Sequence, residues 1–328
     1  MRAVGVSEFG GPDVLGLVEK PMPATGRAQV RIRVHAATVN PGDLLLREGA
    51  LQAVLRAGPL HPPYVPGMEA AGTVDEIGPD ARTDLRVGDR VMVIVMPIDP
   101  TGGAYAEYLV VDPDQVTHAP RGSSHAEAAT LPMNGLTARR ALDVLDLHTG
   151  DTVAVTGAAG AVGGYCVQLA KADGLRVIAD AAVHDEDLVA TLGADQLVPR
   201  GPAVGQRIRQ WSPDGVAAVV DAARQGADVV PALRDGGRIA VLRGEQLEGY
   251  EPSTHSRGIT VRDVWVSEYT HSHDKLDALR VLAEQGKLTL RVAGTYPAAR
   301  AADAHRAMAA GGVRGRLVLL FDHPGGTP

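Results

Sequence analysis

The sequence predicts an α/β protein in which an antiparallel, barrel-like group of strands is followed by a doubly wound parallel sheet. Short strands with Gly/Pro turns fill residues 1 to about 120, and short apolar runs alternate with helical segments from about Ser124 onward. The stretch Asp151 to Asp180 reads as strand, glycine turn, helix and strand. The 328-residue length suffices for two domains with separate cores. We expect a first domain over 1–123, a second over 124–262 and a return segment over 263–328.

Four strands and a helix are expected in the first part. Ala28 to Val34 alternates apolar and polar residues with a period of two, as a half-buried strand does. A helix is expected to begin near Leu44, with Asp43 as its cap. The three other strands, separated by glycine-containing turns, are Gly72 to Ile77, Arg90 to Val95 and Ala106 to Val111.

The β/α alternation after Ser124 predicts a parallel sheet covered by helices. Its expected strands are Thr152 to Val155, Leu175 to Ala179, Gln196 to Val198, Ala217 to Asp221 and Arg238 to Leu242. Its expected helices are His125 to Leu131, Leu136 to Leu145, a segment from about Val162, Glu186 to Thr191, Val204 to Trp211 and Ala227 to Leu233. The return segment is expected to carry a strand over 261–269, helices over His273 to Glu284 and Ala299 to Ala310, and a closing strand over Arg316 to Phe321.

A glycine-rich turn joins the first strand of this sheet to a helix. Glycines let the backbone turn tightly and approach a pyrophosphate, and the N–H groups that begin the helix face the phosphates. The spacing is G-x-x-G-x-x-G instead of the commoner G-x-G-x-x-G, so a purely structural turn is the alternative. The strand–turn–helix context favours a phosphate cradle formed by Gly157, Ala158, Ala159, Gly160, Ala161, Val162 and Gly163.

Composition excludes several classes of function. A net charge of −7 and scattered basic residues give no footprint for nucleic acid. No apolar run approaches the length that spans a bilayer, and the N-terminus lacks a signal-peptide pattern, so a cytoplasmic protein is expected. The one cysteine, Cys166, lies in the helix after the glycines and is expected to be a small core residue.

Motifs along nearly the whole chain resemble those of one superfamily. They are VNPGD at 39–43, PGMEAAGTV at 66–74, VGDRV at 87–91, GGAYAEY at 102–108, NGLTA at 134–138, GAAGAVG at 157–163, LGAD at 192–195, DGGRI at 235–239 and GGVRGRLVL at 311–319. In this order they resemble the medium-chain dehydrogenase/reductase superfamily, and within it the zinc-free quinone oxidoreductase and enoyl reductase branch. The resemblance implies a GroES-like catalytic domain, split in sequence, a Rossmann domain, and an active site in the cleft between them. Such proteins are commonly dimers or tetramers, and we expect a homodimer.

A metal site is not expected. Zinc-dependent relatives carry a histidine followed by glutamate where this chain has Met68 and Glu69, and a thioether does not replace imidazole as a zinc ligand. Zinc-dependent relatives also bind zinc through cysteines of the first domain, whereas Cys166, the one cysteine of this chain, lies in the second. His271 and His273, with no third ligand nearby in the sequence, read as a polar surface turn. Without a Lewis acid, the reaction we expect is hydride delivery to an electron-poor alkene or quinone.

The resemblance implies a small set of catalytic candidates. Asn40 would face the nicotinamide or the substrate, with a turn-forming Asn before Pro41 as the alternative. Thr137 matches a threonine that contacts the nicotinamide, with a capping or buried hydroxyl as the alternative, and Asn134 lies one turn earlier. Many members carry a tyrosine proton donor near the place where Leu51 stands, so here either Tyr64 or water supplies the proton, or none is needed.

Other residues nearby are expected to be structural or remain open. Tyr105 is expected to pack in the core. The stretch Leu51 to Leu60 either lines a hydrophobic substrate pocket or forms an ordinary amphipathic helix.

The choice of nicotinamide depends on the end of the second parallel strand. Asp180 lies near the place where an acid binds the ribose hydroxyls of NAD, but alignment on RVIA puts the acidic position of the family at Ala181. Arg200 matches a phosphate-contacting position of NADPH-dependent relatives, and His184 is a second candidate. Leu242, which ends a later strand, completes the cofactor candidates. NADPH is expected, with NADH as the alternative.

The sequence therefore predicts a zinc-independent, NADPH-dependent reductase of a quinone or an α,β-unsaturated carbonyl compound. One alternative is an NADPH-binding sensor or structural protein, because the tyrosine near Leu51 is missing. The other is an alcohol or ketone dehydrogenase.

Overall fold

The computed structural model describes residues 1–242, 250 and 254–322, so the last six residues of the expected return segment lie outside it. The chain forms two compact units. The first comprises Met1–Met133, Tyr269–Glu284 and Leu290–Pro328, and the second comprises Asn134–Glu268 and Gln285–Thr289. The division after Met133 falls ten residues beyond the expected one, inside a helix, and two short pieces of the return segment, 263–268 and Gln285–Thr289, belong to the second unit.

The described part of the first unit has nine strands, seven of which form one sheet. Its strands are β1 Arg2–Val6, β2 Leu15–Glu19, β3 Val30–Thr38, β4 Glu69–Ile77, β5 Arg90–Ile94, β6 Tyr108–Val111, β7 Val116–His118, β14 Val292–Pro297 and β15 Arg316–Leu320. Its helices are α1 Pro41–Glu48, α2 Gln52–Ala57, α3 His125–Ala128, α8 His273–Glu284 and α9 Ala301–Ala310. The sheet order is β14-β15-β3-β4-β5-β7 with β6 paired to β3, while β1 and β2 form a separate antiparallel pair.

Strand β3 has the alternating burial that its sequence predicts. Val30, Ile32 and Val34 are fully buried, whereas Arg31 and Arg33 between them are half-buried, as the period-two alternation predicts. The strand continues to Thr38, four residues beyond its expected end, and therefore runs directly into the turn before α1.

The second unit carries the predicted doubly wound sheet. Its strands are β8 Thr152–Thr156, β9 Arg176–Ala181, β10 Gln196–Pro199, β11 Val216–Asp221, β12 Leu233–Leu242 and β13 Thr260–Val264. Its helices are α5 Ala161–Ala172, α6 Glu186–Thr191 and α7 Val204–Trp211, and α4 Pro132–Asp143 leads into the unit. All described strand pairs are parallel in the order β10-β9-β8-β11-β12-β13. Since the order reverses at β8, the carboxyl end of β8 is the place where such sheets bind ligands.

Apart from shifts of a few residues at the ends of elements, two expected elements differ from the structure. The segment expected as a helix over Ala227 to Leu233 is a 3₁₀ turn, Gly226–Ala232, because Pro231 inside it has no N–H group with which to continue an α-helix. The strand expected over 261–269 ends at Val264, where its pairing with β12 ends at Leu242. A 3₁₀ turn over Val266–Tyr269 follows it.

Cys166 lies on α5 and is fully buried in the second unit, as expected. Burial raises the pKa of its thiol to about 12. Among the described residues, no helix is both long and apolar enough to cross a membrane.

Candidate active site and nucleotide-binding residues

The glycine turn of the second unit follows β8 directly. Gly157 has φ +69°, a left-handed conformation that glycine adopts without strain. A Cβ atom at Gly163 would lie 2.2 Å from the carbonyl oxygen of Gly157, so the helix approaches the turn too closely for any side chain there. Gly160 is the N-cap of the twelve-residue helix α5. The seven predicted cradle residues therefore form the turn after β8 and the first three residues of α5, and the N–H groups and helix dipole there fit a pyrophosphate.

Asp180 supports this turn from the neighbouring strand. Its Oδ1 accepts hydrogen bonds from the backbone N–H groups of Gly157 at 2.6 Å and Ala158 at 3.2 Å. The side chain is 1% exposed, and burial raises the pKa of its carboxyl, although these hydrogen bonds and the charge of Arg200 oppose the rise. The carboxylate is therefore directed into the unit, toward the turn.

A second buried acid lies on the other side of β8. Asp221, at the end of β11, accepts hydrogen bonds from the hydroxyls of Thr156 at 2.6 Å and Tyr250 at 2.7 Å. The backbone N–H groups of Gln225 and Gly226 complete its coordination, each at 3.0 Å. Sequence reasoning missed this network, although an acid that ends a parallel strand is a usable signal.

The remaining cofactor candidates occupy the same edge of the sheet or α4. Arg200 follows β10, and its backbone N–H donates to the carbonyl oxygen of Ala181 at 2.9 Å. The side chain of His184 is 75% exposed, with Nε2 3.5 Å from a carboxylate oxygen of Asp185. Leu242 is buried at the end of β12. Asn134, which is buried, and Thr137, which is half-buried, lie one turn apart on α4.

In the first unit, Asn40 lies between β3 and α1. It is the N-cap of α1, is 1% exposed, and donates its backbone N–H to Asp43 Oδ2 at 2.8 Å. The expected helix start near Leu44 is wrong, because Pro41, with its fixed φ, is the first helical residue. Asp43 does cap the helix, from within its first turn.

A buried polar chain extends from Asp43. Its Oδ1 accepts the N–H of Gly67 at 2.7 Å, and its Oδ2 accepts the hydroxyl of Tyr105 at 3.2 Å. Burial raises the pKa of Asp43 to about 6, although these hydrogen bonds oppose the rise. Tyr105 is fully buried, as expected of a core residue.

His305 continues this chain. Its Nε2 lies 3.2 Å from the hydroxyl oxygen of Tyr105, and its Nδ1 lies 3.5 Å from Nη1 of Arg47. Since arginine can only donate, Nδ1 accepts and Nε2–H donates to Tyr105. Burial, together with the charge of Arg47, lowers the pKa of His305 to about 3, so the ring is neutral.

A second buried cluster, Thr38, Glu69 and Arg316, surrounds the Asn40 amide. Arg316 Nη2 donates to Asn40 Oδ1 at 2.6 Å and to Thr38 Oγ1 and Glu69 Oε1 at 2.5 Å each. Thr38 also donates its hydroxyl to Glu69, and Glu69 Oε2 accepts the N–H of Met133 at 2.7 Å. All three cluster side chains are less than 5% exposed. Sequence reasoning missed the cluster, because its members lie on β3, β4 and β15.

Tyr64 lies between α2 and β4. Its ring stacks on Phe9 with centroids 5.7 Å apart, and it lines a cavity of about 310 Å³ together with Leu60 and Lys20. Leu51 and Leu60 pack against the hydrophobic core, and Leu55 of α2 is buried in it, so this stretch contains a short amphipathic helix.

Comparison with known proteins agrees with this architecture. The family model described as "Alcohol dehydrogenase GroES-like domain" matches residues 26–121, and the model described as "Zinc-binding dehydrogenase" matches residues 192–319. The quinone oxidoreductase of Mus musculus is 32% identical over 98% of both chains. The NADPH-dependent alkenal/one oxidoreductase of Arabidopsis thaliana is 31% identical over 97% of this chain and 79% of its own. The solved structure of the quinone oxidoreductase from Coxiella burnetii has a TM-score of 0.84 and 29% identity, and the match covers 98% of this chain and 99% of that one.

The chain belongs to the medium-chain dehydrogenase/reductase superfamily. Its two units are accordingly a GroES-like domain and a Rossmann domain, as expected from the sequence motifs. As a medium-chain dehydrogenase/reductase with quinone oxidoreductase and alkenal/one oxidoreductase relatives, the protein is an oxidoreductase.

The donor set around Glu69 does not fit the catalytic zinc of other medium-chain dehydrogenases. Met68 stands where those enzymes carry histidine, and the Glu69 carboxylate is already bound by a guanidinium, a hydroxyl and a backbone N–H. Among the described residues, one surface group, Asp112, Asp114 and His271, has three metal-ligating side chains together. The sequence had shown no third ligand near His271, but folding brings Asp114 to 2.8 Å from its Nδ1.

Proposed function

We propose that this medium-chain dehydrogenase/reductase is a zinc-independent, NADPH-dependent reductase of quinones or α,β-unsaturated carbonyl compounds. The observation that carries the proposal is Met68, which stands where zinc enzymes of the superfamily carry histidine, next to a Glu69 carboxylate that binds Arg316 beside Asn40. A guanidinium there neutralises the carboxylate and leaves a neutral amide as the neighbouring polar group. The names of the mouse and Arabidopsis relatives support this class of acceptor.

The chemistry needs a hydride and a place for the charge that follows it. NADPH, when bound, supplies the hydride. As an electron-poor alkene or quinone is reduced, negative charge accumulates on its carbonyl oxygen, and a hydrogen-bond donor at that oxygen lowers the barrier. Asn40 is the proposed donor, and Thr137 and Asn134 are the proposed contacts of the nicotinamide end. Solvent or Tyr64 completes the reduction with a proton.

The preference for NADPH is supported by the side chains at the end of β9. Asp180 is engaged by the glycine turn, so its carboxylate is not presented to the ribose hydroxyls of NAD. Ala181 is small, and Arg200, bonded through its backbone to Ala181, offers a guanidinium for a 2′-phosphate. The exposed His184 and the buried Leu242 complete the proposed cofactor contacts.

The test is oxidation of NADPH and NADH, side by side, against a panel of quinones and enones with a metal chelator present throughout. Chelator-resistant turnover that is faster with NADPH supports the proposal. NADPH binding without turnover of any acceptor would favour a binding protein instead. Loss of activity with the chelator would favour a zinc-dependent dehydrogenase. Light scattering coupled to size-exclusion chromatography tests the proposed homodimer.

A further inference from the structure

The guanidinium of Arg316 binds the side chain of Asn40 in a single sense. A guanidinium has no acceptor atom, so the Asn40 atom that lies 2.6 Å from Arg316 Nη2 must be the amide oxygen Oδ1. The amide nitrogen Nδ2 therefore lies on the side of Thr38. Its described contacts, to Thr38 Oγ1 at 3.3 Å and Thr38 O at 3.4 Å, are longer than an ordinary N–H···O hydrogen bond.

This arrangement gives Asn40 a defined chemical character. Its acceptor is occupied by a charged donor, which polarises the amide and strengthens its N–H groups as donors. Glu69 neutralises Arg316, so the cluster adds polarity without a net charge. Rotation of the amide by 180°, which would present Oδ1 in place of Nδ2, would place the N–H groups of Asn40 against those of Arg316 Nη2, and two donors facing each other repel.

We propose that Arg316 is a positioning residue that fixes Asn40 as a hydrogen-bond donor to the carbonyl oxygen of the acceptor substrate. The inference rests on the proposed function. It restricts the substrate to compounds whose reducible bond is conjugated to an oxygen able to accept that hydrogen bond. Arg316 acts through Asn40, so its contribution disappears when the amide is absent.

The competing explanation is that Arg316 only neutralises the buried carboxylate of Glu69. The pair variant Glu69→Gln with Arg316→Met separates the two, because it removes both charges together. We expect its kcat to fall by about tenfold or more, with KM and the Kd for NADPH within threefold of wild type. A kcat within threefold of wild type would overturn the positioning role.

A second comparison tests whether Arg316 works through Asn40. The pair variant with Asn40→Ala added should have the same kcat as Asn40→Ala alone, within about threefold. The reason is that the pair variant and Asn40→Ala remove the same interaction, the hydrogen bond from a positioned Asn40 amide to the substrate. Losses that multiply would show that Arg316 acts independently of Asn40 and would overturn the inference.

Arg316→Lys provides the test if the pair variant fails to fold, as judged by circular dichroism. Lysine keeps the positive charge opposite Glu69 but replaces the planar fork by one ammonium. Positioning predicts a several-fold drop in kcat at unchanged NADPH affinity, whereas simple neutralisation predicts wild-type kcat. A wild-type protein that turns over no quinone or enone would refute the proposed function itself, whereas an active wild type with unaffected variants would refute this inference alone.

Discussion

The carboxylate of Asp180 lies 2.6 Å from the backbone nitrogen of Gly157, so an acid at the end of β9 holds the glycine turn at the end of β8. An acid at this strand end ordinarily suggests NAD, because it binds the ribose hydroxyls. Here the carboxylate is turned into the protein, and its presence in the sequence carries no information about the 2′-phosphate. The same residue type at nearly the same position performs a structural task.

Asp180→Ala should therefore destabilise the second unit without switching the cofactor. The backbone N–H groups of Gly157 and Ala158 lose their acceptor, which we expect to lower the free energy of unfolding by about 1–3 kcal/mol and to weaken the binding of NADPH and NADH alike. Urea denaturation and fluorescence titrations with NADPH and NADH measure these effects. Asp187→Ala, at an exposed residue of α6, is the control and should change stability by less than about 0.5 kcal/mol. A large shift in the NADPH/NADH affinity ratio would contradict the structural role of Asp180.

Arg200→Gln should weaken NADPH selectively. Loss of one charge-assisted hydrogen bond to a phosphate, worth about 1.5–3 kcal/mol, corresponds to at least a tenfold loss in affinity for NADPH. NADH, which lacks that phosphate, should bind within twofold of wild type. The matched control is Arg176→Gln, an exposed arginine at the amino end of β9. Equal losses for the two cofactors would remove Arg200 from the 2′-phosphate site.

Gly163→Ala should abolish dinucleotide binding. The added Cβ would lie 2.2 Å from the carbonyl oxygen of Gly157, so the turn and the helix must move apart. Gly16→Ala in β2 is the control, because a Cβ there meets no atom within 4 Å. Isothermal titration with NADPH measures the loss, and wild-type affinity in Gly163→Ala would show that the turn tolerates a side chain.

His305 should make the protein sensitive to acid. Its pKa is about 3 in the folded protein, against 6.5 for an ordinary histidine, so unfolding takes up a proton below about pH 6.5. The stability contributed by the neutral ring is present above pH 6.5 and is lost progressively as the pH falls toward 3.

In His305→Gln, the decline in unfolding free energy between pH 6.5 and 4.5 should be less steep, by up to about 1.4 kcal/mol per pH unit. Chemical denaturation at a series of pH values gives the slopes. His148→Gln, at a side chain that is 86% exposed, is the control for the substitution itself. Identical slopes in wild type and His305→Gln would show that His305 does not titrate in this way.

Tyr64→Phe tests the proton donor. The ring keeps its stacking on Phe9, so stability should change by less than about 1 kcal/mol. If solvent supplies the proton, kcat with an enone stays within twofold of wild type. A tenfold fall in kcat at constant KM would assign the donor to Tyr64.

The sequence predicted what local patterns encode. Alternation in β3, the glycine turn and the β/α succession after Ser124 were visible because each depends on residues within one or two elements. The 3₁₀ turn around Pro231 was missed because the apolar spacing there is helical although the proline prevents an α-helix.

The side-chain networks were not predictable in the same way. Thr38, Glu69 and Arg316 lie far apart in the chain, and no local pattern indicates that their side chains meet. The direction of the Asp180 carboxylate depends on the packing of β9 beside β8, which spacing does not specify. The sequence thus indicated Asn40 as a candidate but not the guanidinium that orients it.

Because Cys166 is buried, the reactivity of its thiol reports the opening of the second unit. A disulfide reagent that yields a coloured thiolate can react with the native chain only when α5 leaves its place in the second unit, since the thiol is inaccessible and protonated there. The rate of colour development then measures the rate of that opening. A cofactor bound at the glycine turn should slow the opening. Because the chain has no other cysteine, a dye attached at any newly introduced surface cysteine would mark that position alone.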